Sequence, residues 1–234
     1  AGGHMTEAPA AITFASVVSR ESVRIALLLA ALNNLDIMCA DIALAYLNAP
    51  CREKVYIECG PEFGSNEKRL AKIVRAQYGL RSSGAAWRAH LAEVLEQHLD
   101  YRSCRADPDV WLRPATKANG EKYYEYCLVY TDDIMVVSEK PMETLNALDQ
   151  FFLLKPDSVG PPGQYLGASI EKFTFDGSNG PPVGTSASAP EWGIDMPLFH
   201  GKALNSAAQP SWDDRICSLG SRLLHLTATA AITI

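Results

Sequence analysis

The stretch YCLVYTDDIMVVS, residues 126–138, sets two adjacent carboxylates, Asp132 and Asp133, inside an otherwise apolar and β-branched run. Residues rich in Val, Ile, Tyr and Leu favour a strand, and the break after Thr131 is short enough for a tight hairpin with the Asp pair at its tip. Two readings are open on this stretch alone. Asp is a common turn residue, because its side chain bonds the backbone two residues on, so the pair suits a solvated turn between core strands. Alternatively, carboxylates between apolar strands are tolerated where a metal ion compensates their charge.

The rest of the chain alternates element types. SRESVRIALLLAALNNLD reads as a buried helix starting near Ser19, and IMCADIALAYLNAP continues as a strand-like run up to Asp41, punctuated by Asn48 and Pro50. KVYIEC is a short strand. SGAAWRAHLAEVLEQHL places Trp87, Leu91, Val94, Leu95 and Leu99 at helical spacing, the mark of an amphipathic helix. PDVWLRP and KYYEYCLVY flank Asn119-Gly120, a strong hairpin signal. METLNALDQFFLL follows Pro141 as a helix with proline near its start, and GQYLGASIEKF is a last strand. This order predicts an α+β domain with helices on one face of a small antiparallel sheet.

Composition bounds the rest. With 234 residues and 47% hydrophobic content the chain is long enough for a real core, and IALLLAAL, residues 25–32, is too short to cross a membrane. The opening AGGHM, within residues 1–5, reads as a cloning scar. From residue 176 the chain turns rich in Gly, Pro, Ser and Ala, so 176–234 is read as a linker and an unassigned tail. Six cysteines without a CxxC pair point to a reducing, intracellular setting. A net charge of −6 argues against non-specific attraction to nucleic acid. Yet Lys68, Arg69, Lys72, Arg75, Arg81 and Arg88 fall in one segment without an acidic residue. That segment is either a polyanion-binding stripe or a solvated helix face with its loop.

Asp41 supplies a second carboxylate, at the end of its own strand-like run. Two-metal phosphoryl transfer needs carboxylates from different strands brought together, and Mg²⁺ takes only one or two of them beside phosphate oxygens and water. Asp41 on one strand and the Asp pair on a neighbouring hairpin meet that need, with Asp41 and Asp132 sharing an ion and Asp133 flanking them.

The blocks SVVSRESVR, ADIALAYLNAP, YIECGPEFG, AQYGLRSSGAAW, ADPDVW, LVYTDDIMVVS and YLGASI, in this order and spacing, resemble the reverse transcriptase of Ty1/copia-type retrotransposons. The resemblance covers roughly residues 14–173 and implies a palm domain over residues 6–175. It implies Asp41, Asp132 and Asp133 as the catalytic carboxylates, holding two Mg²⁺ or Mn²⁺ ions with the carbonyl of Ile42. Tyr46 matches the aromatic under the incoming sugar that excludes a 2′-hydroxyl, and Gly79 lies in the loop lining nucleotide and template. The implied partners are an RNA or DNA template-primer and deoxynucleoside triphosphates, with the six basic residues on nucleic acid, and no membrane. Gly84 stands where many relatives carry proline, and Thr131 where an apolar residue is commoner. Only TEAPAAITFA precedes the first block, where the family has a basic fingers segment, and no thumb is read after YLGASI. The expectation is a palm with parts missing, extending primers poorly alone. A non-catalytic descendant kept as a nucleic-acid or protein interaction module is the alternative, and a cyclase-like palm enzyme a third reading.

Overall fold

The computed structural model describes residues 13–166, 168–174 and 190–195, and the chain divides between residues 166 and 167 into two compact units. In the first unit, α1 (Arg20–Leu32) begins where the sequence places it. Ser19 is its N-cap, its Oγ accepting from the Ser22 amide at 3.1 Å, which satisfies one of the amides a helix start leaves without a partner. Asp107, 88 residues away, adds to the cap by accepting from the Ser19 amide and the Ser22 hydroxyl at 2.9 and 2.6 Å.

After α1 come β1 (Asp36–Asp41), the single helical turn α2 (Ala45–Asn48), and a ribbon of β2 (Tyr56–Glu58) paired with β3 (Leu70–Lys72). Then follow α3 (Ser83–Gln97), β4 (Arg102–Ser103), β5 (Val110–Thr116), β6 (Lys122–Tyr130), β7 (Asp133–Ser138), α4 (Pro141–Asp149) and the short β8 (Gln164–Tyr165). One antiparallel sheet in the order β1-β7-β6-β5-β4 carries the domain. Asn119-Gly120 turns β5 into β6 as expected, with Gly120 at φ +88°. Pro114 sits in β5 beyond the two residues that β4 pairs, so its missing N–H costs the sheet no bond on that side.

The predicted mixed helix and antiparallel-sheet architecture is present, but the single helical layer needs correction. Trp87, Leu91, Val94 and Leu95 of α3 and Leu145 and Leu148 of α4 form one core with Ala40, Cys127, Val129, Ile134 and Val136. The alternate residues Ile37, Leu128, Met135 and Val137 are at most 2% exposed and lie outside that core, as do Val23, Ala26, Leu27 and Ala30 of α1, which contacts β7. The sheet is therefore covered on both sides. The signal was in the strands themselves, since CLV and IMVV are apolar at every position rather than at alternate ones, as two-sided burial demands.

Two further readings change. The basic stretch from Lys68 to Arg88 contains β3 and a loop before it enters α3, so only Arg88 of its basic residues lies on a helix. The expected strand GQYLGASIEKF is broken at Leu166, which has φ +51°. Its second part, β9 (Ala168–Thr174), pairs antiparallel with β10 (Pro190–Asp195), from Pro190 opposite Thr174 to Asp195 opposite Ser169. A strand thus falls inside the stretch read as a linker, and β9 pairs with it in the second compact unit, which starts at residue 167. The rest of the 176–234 tail and the 1–5 segment lie outside the described residues. Among the described residues no helix is long and apolar enough to cross a membrane.

At the end of the sheet remote from the Asp pair, Glu125 is buried and satisfied. It accepts from Arg113 Nε at 2.8 Å, Ser138 Oγ at 2.6 Å and Tyr123 OH at 3.2 Å, while the Arg113 guanidinium stacks over the Tyr101 ring at 4.6 Å. Removing one member of such a pair strands a buried charge. Arg113→Ala is expected to lose about 3 kcal/mol in urea unfolding, the low end for a broken buried pair. Arg113→Met combined with Glu125→Leu should recover most of that loss.

Candidate active site

The antiparallel register of β1 and β7 sets Asp41 directly opposite Asp133. Tyr130 pairs with Asp133 across a two-residue turn made by Thr131 and Asp132, so the sequence-predicted Asp pair is split between turn and strand. Asp132 stands in the turn, and its carbonyl accepts from the Ile42 amide at 2.9 Å. The residue facing Asp41 is thus Asp133, where the sequence placed Asp132. Turn length decides this: two central residues make 133 the first paired position after 130.

The two facing carboxyls behave as a hydrogen-bonded pair sharing one proton. Partial burial, then the contact with Asp41, pushes Asp133 up to about 7, while the bond from Asp133 holds Asp41 below its ordinary value. Like charges directly opposite in neighbouring strands repel, so one carboxyl keeps its proton unless a cation arrives.

One cation is already there, and sequence reasoning missed it. Lys155 Nζ lies 3.1 Å from Asp41 Oδ2. A strap of residues 154–160 runs along the free edge of β1 and carries it. The Lys155 amide donates to the Asp41 carbonyl at 2.9 Å, the Ala43 amide to the Leu153 carbonyl at 2.8 Å, and Cys39 and Gly160 exchange amide bonds at 2.8 and 3.0 Å. Ser158 Oγ accepts from the Asp41 amide at 2.8 Å and donates to the Lys155 carbonyl at 2.7 Å, locking the loop onto the strand end. The only cue in the sequence was a lysine before proline in the run that follows α4.

Beyond Asp41 the chain bends sharply. Leu44 takes φ +51°, and Asn48 Nδ2 donates to the Ala43 carbonyl at 3.1 Å, closing α2 and turning Tyr46 toward the loop before α3. Tyr46 packs on Tyr78 with ring centroids 4.5 Å apart, and burial, Tyr78 and then the charge of Asp132 raise its hydroxyl pKa. Gly79 has φ +100°, a conformation that suits glycine. A Cβ at Gly84 would come within 3.9 Å of the Tyr46 hydroxyl, so this glycine lies beside that ring. Ser82 donates to Glu53, tying the loop to the segment before β2.

The six basic residues do not form one face. Lys68, Arg69, Lys72, Arg75 and Arg81 are exposed on and around β3 and in the following loop. Arg69 Nη1 donates to Asn66 Oδ1 at 3.0 Å and Arg75 Nη1 to the Asn48 carbonyl at 2.9 Å. Arg88 is apart from them on α3, its Nε donating to the buried Asp109 carboxylate at 2.7 Å.

Among the described residues, no three His, Cys, Asp or Glu side chains converge as a ready-made cage. The donor set is a facing carboxylate pair, Asp41 and Asp133, with Asp132 next in sequence in the turn, all oxygen. That suits a hard divalent ion, which takes one or two protein carboxylates and completes its shell with water and phosphate.

The shared proton has a thermodynamic sign. A carboxyl whose folded pKa stands above its unfolded value contributes stability that is full below about 3.8 and is lost as pH rises through about 7. In chelator, Asp133→Asn is expected to melt about 2–4 °C above the parent at pH 8, with the gap closing toward pH 5. In the parent, millimolar Mn²⁺ should raise the melting temperature at pH 8, and in Asp133→Asn it should not.

A reverse transcriptase (RNA-dependent DNA polymerase) family model matches residues 5–174. The chain is 26% identical over 162 residues to the retrovirus-related Pol polyprotein from transposon TNT 1-94 of Nicotiana tabacum, covering 67% of this chain and 12% of that protein. It is 28% identical over 148 residues to the corresponding polyprotein from transposon RE1 of Arabidopsis thaliana, covering 61% and 10%. It is also 37% identical over 73 residues to the Ty1-NL2 Gag-Pol polyprotein of Saccharomyces cerevisiae, covering 31% and 4%. The chain therefore spans about a tenth or less of the length of these relatives. A match along most of the first unit, together with relatives from plant and yeast elements of one type, shows that the chain belongs to the reverse transcriptase family, as a Ty1/copia-type member.

Proposed function

We propose that this chain is the polymerase palm of a copia-type retrotransposon, an RNA-directed DNA polymerase joining deoxynucleotides to a primer 3′-hydroxyl. The observation that carries the reading is the facing of Asp41 and Asp133 across adjacent strands, with Asp132 in the turn beside them. In the reaction the primer oxygen forms a bond to the α-phosphorus, the bond to pyrophosphate breaks, and the hydroxyl proton leaves. Asp41, Asp133 and Asp132, with the Ile42 carbonyl, are the groups that would hold two Mg²⁺ or Mn²⁺ ions, which would supply Lewis-acid stabilisation of the charge that develops at the reacting phosphate.

The chain's own residues do the remaining work by position. Asp41 and Asp133 enter the reaction with their shared proton displaced. Lys155, held on Asp41, keeps a positive charge at the rim and limits repulsion between the carboxylates. Tyr46, braced by Tyr78, is the side chain assigned to exclude a ribose 2′-hydroxyl. Lys68, Arg69, Lys72, Arg75 and Arg81 offer phosphate contacts for the template-primer. Arg88 is engaged by Asp109 and is not counted among them. Free thiols at Cys39, Cys51, Cys59, Cys104 and Cys127 fit an intracellular setting.

Extension of a DNA primer on an RNA template, followed with Mg²⁺ and with Mn²⁺, tests the reading. The chain is expected to extend weakly and to lose template-primer binding steeply as salt rises. Asp41→Asn should lower the extension rate at least about a hundredfold while leaving template-primer binding unchanged. Tyr46→Val should raise ribonucleotide use relative to deoxyribonucleotide use. Binding that survives with no metal-dependent synthesis by the parent would support a non-catalytic interaction module instead.

A further inference from the structure

The turn that presents Asp132 and Asp133 is built against the preference of its own sequence. Thr131 has φ +58°, a conformation that type II′ hairpins normally give to glycine and that β-branched residues rarely adopt. A residue held there persists only where the surroundings over-determine it. Two donors do so. Ile42 binds the Asp132 carbonyl from β1. On the other side, the indole Nε1 of Trp87 donates to the Thr131 carbonyl at 2.7 Å across 44 residues. Trp87 is 1% exposed, its ring is fixed edge-on against Phe152 at 5.0 Å, and α3 carries it in the core beneath the sheet.

We infer that Trp87 is a positioning residue for the carboxylate turn: its indole N–H, delivered from α3 on the side of the sheet opposite Asp133, holds Thr131 in its left-handed conformation and so keeps Asp132 and Asp133 aimed at Asp41. The inference rests on the palm reading for its functional meaning, and on the hydrogen bond alone for its structural one. An indole is suited to the task. It has a single donor, no acceptor, and a large apolar body that the core immobilises, so the direction of its N–H is set by packing and not by solvent. A phenylalanine ring would fill much of the space without supplying the bond. Such partners behind a ligand-bearing segment affect metal affinity or activity when they are lost, although they touch no metal.

The test separates the bond from the packing. Trp87→Phe keeps a ring and removes the N–H. Val94→Ala removes apolar volume two turns further along the same buried face of α3 and leaves the bond in place. Both full-length variants are compared with the parent by thermal melting, by amide exchange in chelator, and by Mn²⁺ binding followed by calorimetry. Trp87→Phe is expected to speed exchange at the Ile42 and Asp133 amides at least about tenfold relative to the Leu95 amide, and to weaken Mn²⁺ about tenfold or more. Val94→Ala should lower the melting temperature without either local effect. If Trp87→Phe changes exchange and Mn²⁺ affinity only in proportion to its melting temperature, as Val94→Ala does, Trp87 is core and the inference falls. A parent that binds no Mn²⁺ would overturn the metal reading, and the exchange arm would still decide the role of Trp87. Should Trp87→Phe fail to fold, the indole N–H of Trp87 in the parent decides. Persistence of its signal in D₂O for hours supports the bond, and loss at the rate of an exposed indole overturns it.

Discussion

The structure turns on a repulsion. Asp41 and Asp133 face one another across neighbouring strands, where like charges destabilise a sheet, and no shift of either strand relieves the contact without unmaking the core. The surrounding arrangement offsets this local cost. Ile134 and Val136 alternate with Asp133 along β7 and are fully buried against α3 and α4, so the same strand that carries the charge anchors the domain. Lys155 supplies a positive charge from the one side where β1 has no neighbouring strand. The residual imbalance is held as a shared proton.

Much of this was legible in the sequence because it is local. The cap at Ser19, the helical face of α3, the Asn119-Gly120 turn and the strand character of residues 126–138 each depend on a few neighbouring residues. The coming together of Asp41 with the Asp pair was reached through a two-metal argument and a family resemblance, since nothing local pairs β1 with β7. What stayed hidden depends on parity or on distance. Which aspartate faces Asp41 is a question of turn length, invisible to composition. Lys155 reaches Asp41 from 114 residues away, through a strap held to β1 by backbone hydrogen bonds and by the Ser158 hydroxyl. Arg88 reads as one of a basic series until Asp109, buried beside it, gives it a different employment.

The exposed ribbon of β2 and β3 belongs to the same account. Tyr56, Ile57 and Leu70 on it are 57%, 38% and 75% exposed, in a domain that otherwise buries both faces of its sheet. Charge is concentrated on the same ribbon and the loop that follows, with Lys72 directly opposite Tyr56. Basic residues interleaved with exposed aromatic and aliphatic groups are the composition of surfaces that meet a polyanion with a stackable face. The site carboxylates, by contrast, sit on the rigid sheet, so the two kinds of chemistry are divided between a packed and an unpacked part of the domain.

The strict two-residue alternation along β7 carries one more consequence. A slip of β7 by a single residue against β1 would carry Asp133 through the sheet into the layer of Trp87, Leu91 and Leu148, and would bring Ile134 out to face Asp41. The core would then hold a bare carboxylate, which is costly to bury without a partner. Correct registration of the charged residues and formation of the apolar interior are therefore one event.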